Sequence, residues 1–249
     1  MREGFIYPMA APDIPVNLLV NSCFLPKYRI NQRGLTSYEG MGIYTIDRWQ
    51  VWLNSVDVVH GGVRTSQMYQ LLAGLDLSKT YTFAVCDTEG SVTAVSGVFG
   101  EGPETINGTT KVRLSILDGY AEVVVENAEK GRTYIWAALY EGTYTADTLP
   151  LYIPKGYAAE LAECQRYYRR YSQLIGTIFY PRALMLPITV EYMRIAPTVT
   201  VQEVTLPGST ANVYNGGGGV AGYVWLSLTE GTTVGTGYYV KDVQLLADL

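Results

Sequence analysis

The sequence predicts an all-β fold: an N-terminal jelly-roll-like β-sandwich, a short linking helix and a C-terminal β-sandwich domain. Three observations predict it. Short runs alternate apolar and polar residues, as in Lys111-Val112-Arg113-Leu114-Ser115-Ile116, which puts Val112, Leu114 and Ile116 on one face. Turn signals separate such runs: Asp87-Thr88-Glu89-Gly90, Ile106-Asn107-Gly108 and Asp118-Gly119. The 249 residues include 26 Gly and 21 Tyr, with many Val and Thr, a composition suited to strands joined by numerous turns. That length suffices for one large or two modest domains.

Residues 1–16 are Pro-rich and lack a regular period, so they read as an extended N-terminal arm, either a disordered tail or a strap that docks on a neighbour. Pro8, Pro12 and Pro15 interrupt any apolar run, and Arg2 and Glu3 make no basic n-region, so a signal peptide is not expected. Residues 17–153 form the expected first sandwich. Gln50-Val51-Trp52-Leu53, Tyr81-Thr82-Phe83-Ala84-Val85, Glu122-Val123-Val124-Val125-Glu126 and Thr133-Tyr134-Ile135-Trp136-Ala137 are further strands. Their spacing argues for a sandwich or jelly roll.

Residues 154–172 form the expected linker, with a helix over 157–172. Tyr157, Leu161, Cys164, Tyr168 and Tyr171 recur at spacings of 4, 3, 4 and 3, the pattern of an a/d seam. Either this stripe packs on its own sandwich, or three such helices meet about a symmetry axis, making these residues candidates for an oligomer interface. Residues 173–249 read as a second β domain. Ala196–Val201 opens one strand, Tyr223–Leu228 alternates, and Tyr238–Leu245 closes the chain. Between them, Asn215-Gly216-Gly217-Gly218-Gly219 is a mobile or tightly turned loop.

Composition excludes several function classes. Net charge is −5, and the dense basic group is confined to Arg166, Arg169 and Arg170, so nucleic acid is not an expected partner. No apolar run approaches the ~20 residues of a membrane-spanning helix. The charged fraction of 16% is low, which suits a surface partly covered by subunit contacts. The three cysteines, Cys23, Cys86 and Cys164, have neither disulfide-framework nor zinc spacing and read as reduced, buried thiols.

Enzymatic chemistry has little support. The single histidine, His60, precedes Gly61-Gly62 and reads as a surface-turn residue with no Gly-x-Ser-x-Gly partner. No metal site or cofactor is expected. Structural calcium could use loops holding Asp87, Glu89, Glu101 or Glu104, though without EF-hand spacing. A glycosidase would need two carboxylates converging on one cleft, which spacing does not reveal. Binding chemistry is better supported. Sugars stack their C–H faces on aromatic rings, and Tyr214, Tyr223, Trp225, Tyr238 and Tyr239 are candidate carbohydrate contacts in the second domain. The alternative is that these rings fill the core or a subunit interface.

Three strings then carry a resemblance. They are Asn17-Leu18-Leu19 with Asn31-Gln32-Arg33-Gly34 and Asp47-Arg48-Trp49; Glu160-Leu161-Ala162-Glu163-Cys164-Gln165-Arg166-Tyr167-Tyr168; and Met193-Arg194-Ile195-Ala196-Pro197-Thr198-Val199. Their order is similar to that of bacteriophage and prophage tail-fibre and other virion structural proteins with a carbohydrate-binding-module-like sandwich. The resemblance implies a homotrimer, assembled in the host cytoplasm and located on the virion. Its other implied partners are virion proteins reached through the N-terminal arm and a host cell-surface glycan. It leaves a rival reading, a structural virion protein such as a head fibre, capsid decoration or baseplate component, and a third, a polysaccharide depolymerase. Within the motif, Asn31, Gln32, Arg33, Gly34, Asp47, Arg48 and Trp49 are expected to be structural. Asp47 can accept charge-assisted bonds from Arg33 or Arg48, Gly34 suits a turn, and Trp49 can cap the core.

Overall fold

The computed structural model describes residues 15–128, 131–180, 183–186, 188, 193–195, 197–206, 209–210, 214–215, 224–227, 234–235 and 237–247. The N-terminal arm through residue 14, Tyr223 and the glycine loop at 216–219 lie outside these residues. Strands occupy 52% of the chain, so the fold is mostly β as the sequence predicts.

The first sheet is built from β1 (Ser37–Glu39), β2 (Gln50–Val59), β3 (Gly62–Leu72), β4 (Thr80–Asp87), β5 (Val92–Val98), β6 (Glu104–Asn107), β7 (Thr110–Leu117), β8 (Tyr120–Asn127) and β9 (Thr133–Glu141). The pairing order is β5-β4-β9-β3-β8-β7-β6, with β2 on the other edge of β3 and β1 beyond it. Strand β3 explains the layered shape. Val63 and Arg64 pair with β9, and Gln67 through Leu72 pair with β8. The sheet therefore divides along β3, and its two halves fold over one core. The halves nearly close where β5 approaches β6 and β7.

Local sequence sets these strands. On β7, Thr110, Val112 and Leu114 are buried while the intervening residues are half-exposed, as period-two alternation requires. Ile116, expected on the same face, is instead exposed, because it lies beyond the core near the hairpin end. Asp118 and Gly119 both have positive φ and join β7 to β8 with Leu117 opposite Tyr120, the two-residue hairpin that a right-handed twist favours. Leu19, Phe24, Ile46, Trp49, Met68, Phe83, Leu114 and Leu139 lie at the centre of the core. The Cys23, Cys86 and Cys164 thiols are free and buried, and burial pushes the Cys86 thiol up to about 11.

The linker departs from expectation. Helix α1 spans Tyr157–Cys164, not 157–172, and β10 (Tyr168–Tyr180) begins after a short turn. The 4-3-4-3 spacing fitted a helix, but Tyr167-Tyr168-Arg169-Arg170-Tyr171 is aromatic-rich and fits a strand equally well. Pairing with the C-terminal strand decides between them. The proposed seam is therefore broken up: Tyr157 is exposed, Leu161 half-buried, Cys164 buried, and Tyr168 and Tyr171 belong to a strand. Glu160 and Cys164, one helical turn apart, make the buried stripe of α1. The Glu160 carboxylate accepts the backbone N–H of Asn21, tying the helix to the first sandwich.

The second sheet contains β10, β11 (Ala183–Leu186), β12 (Thr198–Thr200), β13 (Glu203–Leu206), β14 (Ser209–Thr210), β15 (Tyr214–Asn215), β16 (Val224–Ser227) and β17 (Gly237–Leu246). Its order is β14-β13-β17-β10-β11-β16-β15, with β12 also on β17, and it curls into a half-barrel. Ile178, Leu184, Leu186, Val240, Val243 and Leu245 fill its concave side.

The central pair, β10 and β17, changes face midway. Before the change, Tyr171 on β10 packs on the core; after it, Leu174, Gly176 and Ile178 point inward. On β17 the buried residues switch from Tyr238 and Val240 to Val243 and Leu245. Asp242 sits at this switch with φ 49°, a left-handed conformation that Asp tolerates better than most side chains. The switch turns Tyr168, Arg170, Gln244 and Leu246 toward the first sandwich.

Candidate functional site at the joint between the sheets

The motif residues build the joint. Asn31 closes a turn: its Oδ1 accepts the Gly34 N–H at 3.1 Å and the Tyr38 hydroxyl, and its amide donates to the Leu35 carbonyl at 2.9 Å. Gly34 has φ 75°, which suits glycine at this turn. The turn carries Arg33 over the Tyr168 ring at 3.8 Å and the Tyr44 ring at 5.1 Å. Cation–π contacts of this kind contribute about 0.5–2 kcal/mol.

Behind Arg33 lies Asp47, fully buried. It accepts the Arg33 guanidinium at 3.1 Å and both the backbone and side-chain N–H of Gln32 at 3.1 Å. Burial pushes the Asp47 carboxyl up, while Arg33 and the Gln32 donors pull it down. Gln32 also donates to the Tyr168 carbonyl at 2.9 Å, bridging the two sheets. Arg48 turns the other way. It donates to the Leu71 carbonyl at 2.7 Å and lies over the Tyr167 ring at 3.7 Å. Of the two bonding partners open to Asp47, the structure thus uses Arg33. Trp49 is buried in the core, edge-on to Phe24, with its indole N–H on the Asn21 carbonyl at 3.0 Å.

Between these groups is a cavity of about 480 Å³. Its walls come from Arg33, Leu35, Tyr38, Ile43 and Tyr44 of the first unit and Tyr168, Arg170, Gln244 and Leu246 of the second. The polar groups are held in place. Arg170 donates to the Asp242 carboxylate and to the Arg33 carbonyl. Gln244 accepts the Tyr168 hydroxyl at 3.1 Å and donates to Asp242 at 3.1 Å. The Arg170 hydrogen bond holds the Asp242 carboxyl below its ordinary value. Burial pushes the Tyr168 phenol up to about 12, so it stays a proton donor across the neutral range. Aromatic walls with a few fixed polar groups, at a volume within the ~300–1,000 Å³ of small-molecule sites, suit a polar ring-shaped ligand.

None of the residues expected to contact carbohydrate is among the described residues that line this cavity. Tyr214 lies on β15 and Trp225 on β16, and Tyr223 is outside the described residues. Tyr238 is a core residue at 7% exposure, because its register before Asp242 points inward. Tyr239 is exposed on the outer face, opposite exposed Ile175. Among the expected interface residues, Tyr168 reaches the joint cavity, whereas Cys164 is covered within its own chain. The loop considered for calcium uses its carboxylate internally: Asp87 accepts the Glu89 and Ser91 N–H groups at 3.0 and 2.9 Å and pairs with Arg132. His60 is exposed in the β2–β3 turn. Sequence reading missed Tyr38, Tyr44, Arg170 and Gln244 as a set, since their convergence depends on the face switch at Asp242. No protein-family model, curated protein or solved structure matches the chain.

Proposed function

We propose that this protein is a non-enzymatic bacteriophage virion component, a fibre or receptor-binding protein that recognises a host cell-surface glycan. The joint cavity carries this reading: tyrosines, two arginines and a glutamine, fixed by their own hydrogen bonds, line a space suited to a sugar. Sugars offer C–H faces to aromatic and apolar walls and hydroxyls to planar polar groups. The resemblance of the Asn31–Gly34, Asp47–Trp49 and Glu160–Tyr168 strings supplies the virion context. In this reading the first sandwich is jelly-roll-like and the protein is a homotrimer attached to other virion proteins through its N-terminal arm. Three weak sites on one particle gain avidity without new contacts.

A second reading is a structural virion protein with no dedicated receptor. Leu35, Met41 and Ile43 favour it, because they are 56%, 76% and 48% exposed on the two segments flanking the short strand β1 and suit contact with a neighbouring subunit. Binding of the full chain to extracted host-envelope glycans, with native mass measured in parallel, separates the two. A trimer that binds glycan, and loses that binding in Tyr44→Ala, supports the receptor reading. A folded oligomer that binds none supports the structural one.

A further inference from the structure

We propose that the joint cavity is selective for an anionic sugar, whose carboxylate or phosphate oxygens meet Arg170. This rests on the glycan-binding reading and names the class of glycan. Among the described residues that line the cavity, the charged ones are Arg33 and Arg170, both positive, in a chain of net charge −5. The carboxylates that pair with them stand outside the lining. Asp47 is fully buried behind Arg33, and Asp242 holds Arg170 from the side.

Arg170 is placed for this role. A guanidinium has five N–H donors in a planar fork. The Asp242 carboxylate takes one and the Arg33 carbonyl another, which fixes the group and leaves three donors. Its side chain is 35% exposed, so a ligand can reach it. Fork-shaped donors recognise carboxylate and phosphate oxygens in pairs, and a fork already held in place loses little freedom on binding. Next to it, the Gln244 amide has spent one hydrogen on Asp242 and keeps a second for a sugar hydroxyl. Leu35, Ile43 and Leu246, with the Tyr44 ring, supply the apolar wall for the sugar's C–H face. A neutral sugar would leave the three remaining Arg170 donors without an oxyanion to bind, so selectivity follows from charge and geometry together.

The test is an array of bacterial glycans bearing uronic acid, sialic acid or phosphate, printed beside neutral glycans and probed with the full-length protein. Acidic glycans should bind, with the carboxylate and phosphate spots showing which oxyanion is preferred. Affinity for the best acidic glycan should fall about tenfold or more in Arg170→Gln, and less in Arg170→Lys, which keeps the charge but loses the fork. An unchanged thermal midpoint shows that the Arg170→Gln protein is folded. If that midpoint drops, the Lys variant decides. Binding confined to neutral glycans would overturn this inference and leave the glycan reading standing, as would acidic-glycan binding that neither substitution weakens. Binding to no glycan would overturn both.

Discussion

Asp47 concentrates the energetics of the joint in one side chain. It is a fully buried carboxylate with Arg33 and two Gln32 donors around it. Breaking a buried pair by removing one partner typically costs about 3–5 kcal/mol, because the other charge is left uncompensated. Arg33 keeps its tyrosine contacts and some water, so Asp47→Ala should cost about 3 kcal/mol in chemical denaturation, whereas the exposed Lys79→Ala should leave the midpoint essentially unchanged. Glu160 gives a pH signature. Burial outweighs its Asn21 hydrogen bond and raises its carboxyl above the ordinary value. The folded state then holds this proton more tightly than the unfolded chain does. Its contribution to stability is full below the unfolded value of about 4.3 and is lost as pH rises through the folded value. Glu160→Gln keeps an acceptor for Asn21 and should flatten that decline in a plot of thermal midpoint against pH. Asp47 as an acceptor and Gly34 at a turn were legible from sequence, since each residue type has a narrow physical use, whereas Trp49, expected to cap the core, lies inside it. The choice of Arg33 over Arg48 was not legible. Arg48 has φ 76°, which sends its side chain toward Leu71 and Tyr167, and no local residue pattern announces that.

At the scale of single elements, strands were legible wherever one face meets a core and the other meets water, as on β7. The helix was overextended because its aromatic spacing also suits a strand, and pairing with β17 settles the matter from 70 residues or more away. The face switch of β10 and β17 had no sequence signal, because it depends on a left-handed aspartate rather than a glycine. Asp242 also anchors Arg170 and Gln244. Its lowered carboxyl contributes stability above an unfolded value of about 3.9, which is lost as pH falls through the folded value. Asp242→Ala should leave the first sandwich intact and loosen the β10–β17 end. Amide hydrogen exchange should read this as faster exchange at Arg169–Tyr171 and Val243–Leu245, with β3 and β8 unchanged. Gly62 is the corresponding point in the first sheet. A Cβ there would lie 2.1 Å from the Tyr134 carbonyl oxygen, across the β3–β9 pairing that divides the sheet. Backbone cannot yield as a side-chain tip can, so Gly62→Ala should cost at least 2 kcal/mol, roughly the upper range for overpacking, measured by urea denaturation.

For the molecule as a whole, the two units are joined by hydrogen bonds from Gln32 to Tyr168, from Arg170 to Arg33 and from Asn21 to Glu160, together with the Arg33 and Arg48 stacks. Gln32, Arg33, Arg48, Glu160, Tyr167 and Tyr168 of the singled-out strings thus contribute to this joint. The mostly-β class could be read from alternation and turns. The cavity could not, because its walls come from residues 33–44 and 168–246, brought together only by the joint. The most direct test of that cavity as the glycan site is a hydrogen-exchange footprint of the full chain with and without the best-binding envelope glycan. The account predicts protection of residues 33–44, 168–170 and 244–246. Protection confined to the outer face around Ile175 and Tyr239, with the joint unchanged, would contradict it.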